Sequence, residues 1–292
     1  MHRSTSIAAC CLLPALLARP AAGAEWTARR LAVTEGFQTP ESAAVDPDTG
    51  TVYVSNIVAD RSGENPYWAE DGTGFIARLR PGGQVDVLRW KESSKKLRLN
   101  ATKGICLGWK TLWAADLTRV VWFELAGDKA VGAIAVSGAK QLNDMACDGR
   151  AVYVSDIGTG RVHRFAGKEH RVVKGPQGVN GITFFKGEMY AVSWAKHDLY
   201  ELDPSGTAEP KPFGLARHFK GLDGIEVLDD GTFIVSDFPG GKVAAVSADR
   251  KTVRTLIETK TPADIGLDRK RLLLYVPLFM QDRVEVYQLK SE

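Results

Sequence analysis

The sequence predicts an all-β fold, a six-bladed β-propeller with four-stranded antiparallel blades. Two observations predict it. Short apolar strand patterns occupy almost the whole chain, and a polar or small residue opens one of them about every 40 residues. These openings begin at Glu41, Lys103, Asn143, Asn180, Asp223 and Ala263. A strand-rich repeat of this length is typical of propeller blades, so one domain is expected.

The third and fifth blades show the repeat most clearly. Residues 143–147, 151–156, 161–165 and 170–173 are rich in β-branched and aromatic residues, and glycines separate the four segments. The same order recurs in residues 224–227, 232–237, 242–246 and 253–256. Both sets predict four-stranded meanders.

The last blade lacks a fourth strand after residue 287, whereas residues 29–34 form a strand pattern that belongs to no blade of its own. We expect this N-terminal strand to close the last blade as its outer strand. Such a closure removes the free edges that an open ring of sheets would leave.

Residues 1–24 differ from the rest of the chain. His2 and Arg3 precede an apolar run at residues 7–18, and Ala22-Gly23-Ala24 follows. This pattern predicts a secretory signal peptide over 1–24 and a single propeller domain over 25–292. The mature protein is therefore expected to be exported, to a periplasm or out of the cell.

The formal net charge is +3, and loss of Arg3 and Arg19 with the signal peptide lowers it by two. A nearly neutral surface gives no electrostatic reason to expect nucleic acid or an anionic membrane as a partner. A small-molecule substrate is the expected partner, and the sequence specifies no protein partner.

Cys106 and Cys147 lie in the inner strands of neighbouring blades, three and four residues after the respective openings. Because successive strand residues alternate between faces, we expect the two side chains on opposite faces. A disulfide needs converging side chains. The sequence therefore predicts two buried free thiols.

The interval between Glu41 and Lys103 is longer than the others because residues 57–74 are inserted. The insertion falls between the second and third strands of the first blade, on the end where the inner strands begin. It is expected to overhang the pocket there. Tyr67 and Trp68 then belong either to a lid or binding loop, or to a solvated loop with an aromatic anchor.

Four of the six openings carry a carboxylate or a carboxamide, at Glu41, Asn143, Asn180 and Asp223. If the openings converge on one axis, these oxygen donors suit Ca²⁺ best, with Mg²⁺ or Mn²⁺ as further options. Histidine and cysteine are absent from the openings, which disfavours structural zinc. The plainer interpretation is that these side chains satisfy turn amides.

Three further residues are candidates for substrate binding on the same face, Lys103, Trp194 and His197. Lys103 is expected to bind an anionic substrate, to pair with Glu41 or to point away into solvent. Trp194 and His197 lie in a loop of the fourth blade that faces the pocket, although a single loop histidine is commonly solvated. Asp116, Asp156 and Asp237 end the second strands of three blades, and this recurrence favours a shared turn role.

The openings resemble the SMP-30/gluconolactonase/regucalcin-like (LRE) family of six-bladed propellers, and more distantly the paraoxonases. The resemblance covers about residues 30–290 and is carried by Pro40-Glu41, Leu142-Asn143-Asp144, Val179-Asn180-Gly181 and Leu222-Asp223-Gly224. It implies that Glu41, Asn180 and Asp223 bind a divalent metal. It also implies that Asn143 contacts metal-bound water or substrate and that Asp223 is the catalytic general base.

The resemblance implies a divalent-metal-dependent hydrolase of a sugar lactone or a related small ester. Gln141 stands where sugar-lactone members often carry arginine, and Lys103 and the insertion also depart from the family pattern. No Gly-x-Ser-x-Gly motif supports a serine triad. One alternative is a non-catalytic, NHL-like propeller that binds a ligand or protein on the pocket face. A weaker one is a strictosidine-synthase-like propeller.

Overall fold

Six four-stranded antiparallel sheets make up the fold in a computed structural model that describes residues 25–127 and 130–292. The predicted signal peptide lies outside the described residues. Each sheet is one blade, and its strands follow one another from the central axis to the rim. The predicted six-bladed propeller is therefore confirmed.

The strands of the first three blades follow the chain without a crossover. The first blade contains β2 (Pro40–Val45), β3 (Val52–Asn56), β4 (Phe75–Leu79) and β5 (Val85–Glu92). The second contains β6 (Thr102–Gly108), β7 (Thr111–Asp116), β8 (Arg119–Glu124) and β9 (Ala130–Ala135). The third contains β10 (Leu142–Cys147), β11 (Val152–Asp156), β12 (Arg161–Ala166) and β13 (Glu169–Lys174).

The next two blades repeat this order, and the last blade takes one strand from the other end of the chain. The fourth contains β14 (Val179–Phe185), β15 (Glu188–Ser193), β16 (Leu199–Leu202) and β17 (Lys211–Pro212). The fifth contains β18 (Leu222–Val227), β19 (Phe233–Asp237), β20 (Lys242–Val246) and β21 (Val253–Glu258). The sixth contains β22 (Gly266–Asp268), β23 (Leu273–Leu278), β24 (Arg283–Ser291) and β1 (Trp26–Glu35).

The N-terminal strand closes the ring as predicted. β1 pairs antiparallel with β24 from Trp26 opposite Ser291 to Glu35 opposite Arg283. The order in this sheet is β1-β24-β23-β22, so β1 is its outer strand. Both ends of the domain are thus held in one sheet by main-chain hydrogen bonds.

Burial decreases from the axis to the rim of each blade. All residues of the second strand β11 are buried, whereas the outer strand β13 buries only Val173. Inner strands are covered on both faces because each blade lies between two others, and this explains their nearly continuous apolar sequences. The core accordingly lies between the blades, as where Tyr190 and Val192 of the fourth pack with Val235 of the fifth.

The prediction of two free thiols is wrong, because Cys106 and Cys147 form a disulfide between the second and third blades. Their Cα atoms are 6.2 Å apart. The two side chains do lie on opposite faces of their own sheets. In a propeller, however, the face of the second blade that points toward the third blade packs against the face of the third blade that points back toward the second. Side chains on opposite faces of two neighbouring sheets therefore meet.

Within residues 25–127 and 130–292, no helix combines the length and the apolar character that crossing a membrane requires.

Candidate functional site

A β-bulge at the start of the inner strand recurs in the first five blades. The register shifts between Pro40 and Ala43 in the first blade and at matched places in the next four. Each bulge removes two successive residues from the regular ladder, a device that commonly redirects side chains beside active sites. The freed pairs are 41–42, 103–104, 143–144, 180–181 and 223–224.

The freed residues form two layers around the axis. The first residue of each pair belongs to a layer that we call the ring: Glu41, Lys103, Asn143, Asn180 and Asp223, with Ala263 in the sixth blade. The second residues form the lower layer: Ser42, Gly104, Asp144, Gly181, Gly224 and Asp264. A parallel bridge between Ser42 and Asp264 joins the first and sixth blades at this level. The polar ring residues are all buried, with Asp223 the most exposed at 7%.

A serine in the second strand supports three of these bulges. The hydroxyl oxygens of Ser55, Ser155 and Ser236 accept hydrogen bonds from the main-chain N–H groups of Ser42, Asp144 and Gly224, at 3.0, 2.9 and 2.7 Å respectively. A buried N–H that leaves a strand ladder needs such an acceptor. The recurrent serine therefore holds the bulge that presents the ring residue.

The aspartate or asparagine that follows this position supports the segment leading into the inner strand. Asp156 accepts from the N–H groups of Lys140 and Gln141 at 2.9 and 3.0 Å, and Asp237 accepts from the N–H of Gly221 at 3.0 Å. Asp116 likewise accepts from Asn100. These contacts agree with the shared turn role that the recurrence predicts.

Two contacts link neighbouring ring residues. The Asn180 amide donates to Asp223 Oδ1 at 2.9 Å, and the Lys103 ammonium lies 4.0 Å from Glu41 Oε1. Lys103 is 3% exposed, so the expectation that it points away into solvent is wrong. Three buried ring oxygens have no hydrogen-bond partner among the described residues, namely Glu41 Oε2, Asn143 Oδ1 and Asn180 Oδ1.

Burial dominates the electrostatics of the ring. It raises the pKa of Glu41 well above its usual value, although the Lys103 ammonium opposes this shift. It raises the pKa of Asp223 to about 7, against the opposing effects of Lys103 and the Asn180 hydrogen bond. Burial lowers the pKa of Lys103, and the two carboxylates oppose that change. Loss of hydration disfavours the charged form of each group.

Two acids that the sequence did not single out, Asp144 and Asp264, lie in the lower layer. Ser42 donates its hydroxyl to Asp264 Oδ2 at 2.5 Å, and Asp144 Oδ2 accepts from the Ile182 N–H at 2.6 Å. Burial raises the pKa of Asp264 to about 8 and that of Asp144 well above its usual value. Their signal in the sequence is the residue after each ring position, which is aspartate in the third and sixth blades.

Glycine at two lower-layer positions makes room for these acids. A Cβ on Gly224 would lie 2.5 Å from Asp264 Oδ1, and one on Gly104 would lie 2.3 Å from the Asp144 Cα. Side chains larger than hydrogen are therefore excluded beside both carboxylates. Under this layer is a cavity of ≈ 420 Å³, lined by Asp144 and Asp264 and by turn residues at the end opposite the ring, including Pro47 and Lys270.

Aromatic side chains cover the ring from above. Tyr67 of the insertion packs on Phe279 with ring centroids 5.0 Å apart, and Phe279 packs on Phe238 at 5.4 Å. Phe238 in turn packs on Trp194 at 5.5 Å. On the other side, the Trp68 ring centroid lies 4.1 Å from the Lys103 ammonium nitrogen. The insertion thus contributes residues to both sides of the ring.

The structure brings most of the predicted site residues together. Glu41, Lys103, Asn143, Asn180 and Asp223 share the ring, and Trp194 belongs to the aromatic cover. His197 has a positive φ of 59° in the turn after β15, and none of its described contacts reaches the ring. Phe238 and Phe279 were not predicted. Each directly follows the second strand of its blade, a position that a comparison of the blades reveals.

The oxygen donors of the ring suit a hard divalent cation, but the ring also contains the positively charged Lys103. Carboxylate and carboxamide oxygens are the ligands that Ca²⁺ takes in proteins, and the unpaired oxygens of Glu41, Asn143 and Asn180 are buried acceptors that a cation or a hydrogen-bond donor would satisfy. No three His, Cys, Asp or Glu side chains in the described part of the chain form a metal-binding group. Any cation must therefore rely on the asparagines, and the Lys103 ammonium weakens its binding by repulsion.

Neither a family model nor a curated protein matches this sequence. Solved structures do. A protein provisionally described as a gluconolactonase has a TM-score of 0.63 and 19% identity, with 94% of each chain covered. Luciferin-regenerating enzyme has a TM-score of 0.63 and 15% identity, with 89% of this chain and 95% of that chain covered.

The structural neighbours include SMP-30/LRE-like six-bladed propellers. The predicted resemblance is thereby confirmed for the fold. Virginiamycin B lyase from Staphylococcus aureus also matches, with a TM-score of 0.60 and 14% identity over 90% of this chain and 99% of that chain. Neighbours with hydrolase-type and lyase-type names thus share this architecture. At these identities the likeness establishes the fold alone, so function has to be argued from the site.

Proposed function

We propose that this protein is an exported, divalent-metal-dependent hydrolase that opens a sugar lactone or a related small ester. The observation that carries the proposal is the group of unpaired, buried oxygens on Glu41, Asn143 and Asn180 beside Asp223. Buried polar atoms without partners are uncommon in folded proteins, and a cluster of them is a place where water, an ion or a ligand binds.

Glu41, Asn180 and Asp223 would hold the cation, for which Ca²⁺ is the best match and Mg²⁺ or Mn²⁺ are alternatives. When bound, the cation would act as a Lewis acid on the substrate carbonyl oxygen. Asn143 lies next to Asn180 in the ring and offers its free oxygen to a substrate hydroxyl or to water. Asn180 donates to Asp223 and so fixes the orientation of its carboxylate.

Asp223 is the proposed general base. In the metal-free protein burial raises the pKa of Asp223 to about 7, so its carboxylate accepts a proton more readily than a solvated aspartate. It takes a proton from water as the water oxygen bonds to the carbonyl carbon. The bond between the carbonyl carbon and the ester oxygen of the lactone then breaks. That ester oxygen takes the proton from Asp223, and the hydroxy acid forms. The aromatic cover above the ring limits the entry of bulk water.

Export is part of the same proposal. The predicted signal peptide supports it, and so does the disulfide between Cys106 and Cys147. Such bonds persist mainly in oxidising compartments such as a periplasm or the extracellular space.

Substitution of Asp223 tests the catalytic part. Asp223→Asn keeps the size and the hydrogen-bond acceptor but removes the base, so turnover of gluconolactone should fall at least about a hundredfold. The assay is acid release by the mature protein, residues 25–292, after EDTA treatment and again with added Ca²⁺. Asp48→Asn, at an exposed turn, is the matched control and should leave turnover unchanged.

Thermal melting gives the second readout. A cation that binds only the folded protein raises the melting temperature in a saturable manner. That rise should be present in the wild-type protein and absent in Asp223→Asn. Unchanged melting with Ca²⁺, Mg²⁺ and Mn²⁺ at millimolar concentration would contradict the metal-dependent mechanism.

One observation favours the alternative of a non-catalytic propeller that binds a ligand or protein on the pocket face. Met280 is 42% exposed beside Tyr67, whose hydroxyl donates to its sulfur, and both adjoin the aromatic cover. Exposed apolar groups next to a polar centre are typical of contact surfaces. Binding of a partner that persists in EDTA and in Asp223→Asn would support this alternative over the enzyme.

A further inference from the structure

Lys103 is a buried cation without a hydrogen-bonding partner in the described part of the chain. Its side chain is 4% exposed, and the nearest carboxylate oxygen, Glu41 Oε1, is 4.0 Å from its nitrogen. That separation lies beyond hydrogen-bond range. An ammonium group has three N–H donors, and the ion pair with Glu41 at this distance uses none of them in a hydrogen bond. The donors of Lys103 are therefore available to a ligand that enters the ring.

Trp68 holds this ammonium in place. The Trp68 ring centroid is 4.1 Å from the Lys103 nitrogen, within the range of a cation–π contact. The contact fixes the lysine without using any of its hydrogen-bond donors. Trp68 belongs to the insertion at residues 57–74, so this loop and the ring together form one side of the pocket.

The charges of the ring favour an anionic ligand. A divalent cation would be balanced by the carboxylates of Glu41 and Asp223, which leaves the Lys103 charge uncompensated. Buried charges are stable only when they are paired. One additional carboxylate, supplied by the ligand, would balance the charges of the ring residues themselves.

The blade order also places this charge at a useful distance from the reacting group. Lys103 belongs to the second blade and Asp223 to the fifth, and these blades are opposite each other in a ring of six. A ligand whose carbonyl lies at Asp223 therefore extends across the axis toward Lys103. Only a substrate with a second functional group can occupy both sides.

We propose that the substrate is a lactone or ester that carries a free carboxylate, which Lys103 binds beneath Trp68. The reacting carbonyl lies at the Asp223 side of the ring. This inference rests on the proposed function for the reaction, whereas the carboxylate site stands on the Lys103 geometry.

A matched pair of ligands isolates the effect of the second carboxylate. D-glucarate and D-gluconate differ in one terminal group, a carboxylate in the first and a neutral alcohol in the second. Calorimetric titration of the Ca²⁺-loaded mature protein should show that glucarate binds about tenfold more tightly, as expected of a charge-assisted hydrogen bond. Chelation of free Ca²⁺ by the ligands cancels when variants are compared at one Ca²⁺ concentration.

Lys103→Met should abolish the preference for glucarate, and Lys103→Arg should retain most of it. Lys110→Met is the matched control, because Lys110 is exposed in the turn at the other end of the same inner strand. It should bind like the wild type. Lys103→Gln replaces Lys103→Met if the latter melts well below the wild-type protein.

The outcomes separate this inference from the proposed function. Equal binding of both ligands by the wild type, or a preference that survives in Lys103→Met, would mean that Lys103 only pairs with Glu41, and the carboxylate site would be wrong. Hydrolysis of gluconolactone with no preference for glucarate would overturn this inference and leave the proposed function intact. A Lys103-dependent preference without hydrolysis of glucarolactone would support the carboxylate site and contradict the proposed reaction.

Discussion

At the scale of single residues, the centre of this propeller concentrates acids that burial makes weak. Glu41 and Asp223 lie in the ring, and Asp144 and Asp264 lie directly beneath them. Burial raises the pKa of all four. Lys103 is the one buried cation of the described ring. Protonation of these four acids and binding of a cation in the ring are therefore coupled.

Asp264 should make the metal-free protein less stable as the pH rises. Burial is the main cause that raises the pKa of Asp264 to about 8, and the nearby carboxylates Asp223 and Glu226 act in the same direction. Hydrogen bonds with Ser42 and Asp144 oppose this shift. The folded state thus binds a proton that the unfolded state has released above about pH 4. Unfolding free energy falls between about pH 4 and pH 8, by of the order of 1 kcal/mol per pH unit for one such group.

Thermal melting in EDTA at pH 5.5 and pH 8 measures this effect. Asp264→Asn should reduce the pH dependence, to which Glu41, Asp144 and Asp223 also contribute, and should melt above the wild type at pH 8. Asp48→Asn, whose side chain is exposed, should follow the wild type at both pH values. A wild-type protein that is as stable at pH 8 as at pH 5.5 would contradict the raised pKa of Asp264.

At the scale of strands, the bulge at the start of the inner strand in the first five blades is the element that builds the site. It frees two residues, which become one ring residue and one lower-layer residue. The Ser-Asp pair at the end of the second strand supports it in the third and fifth blades, where serine binds the bulge and aspartate binds the entering segment. A motif in the second strand of a blade thus sets the position of the ring residue in the first strand.

Ser236→Ala tests this support. It leaves the buried Gly224 N–H without its 2.7 Å acceptor, which should lower the unfolding free energy by about 1–3 kcal/mol. Urea denaturation followed by tryptophan fluorescence measures the change. Because the bulge carries Asp223, Ca²⁺ affinity should also fall.

Ser205→Ala is the control for this substitution, since the Ser205 hydroxyl serves an exposed turn around Asp203. It should stay within about 0.5 kcal/mol of the wild type. Equal stability of Ser236→Ala and Ser205→Ala would show that the bulge does not depend on the serine.

At the scale of the whole molecule, closure of the propeller decides whether the six blades hold one pocket. Each blade packs on two neighbours, and β1 completes the sixth by pairing with β24 along most of its length. The disulfide between Cys106 and Cys147 adds a covalent link between two blades. The polar ring residues come from five blades, so their relative positions depend on this closure.

Deletion of residues 25–35 should therefore destabilise the whole domain and not only the sixth blade. The deletion exposes the edge of β24 and removes its main-chain partners. We expect a melting temperature lower by about 10 °C or more, still in a single transition. Deletion of the two C-terminal residues 291–292 removes only the terminal pair of the same ladder, Trp26 with Ser291, and should cost much less. A truncated protein that melts like the full domain would show that β1 is dispensable.

Much of the fold was predictable because local patterns determine it. The strand periodicity and the repeat predicted six blades, the unpaired pattern at residues 29–34 predicted the closing strand, and the openings predicted the ring residues. Each of these depends on neighbours in sequence or on a repeat that the sequence displays directly.

The sequence by itself determined the number of blades, their closure and the chemical nature of the ring. Only the tertiary structure decided which side chains meet across blades: the disulfide, the acids Asp144 and Asp264 under the ring, and Trp68 over Lys103. The reason is physical. Strand alternation fixes the face on which a side chain lies within its own sheet, but contacts at the axis depend on how six sheets are arranged around it.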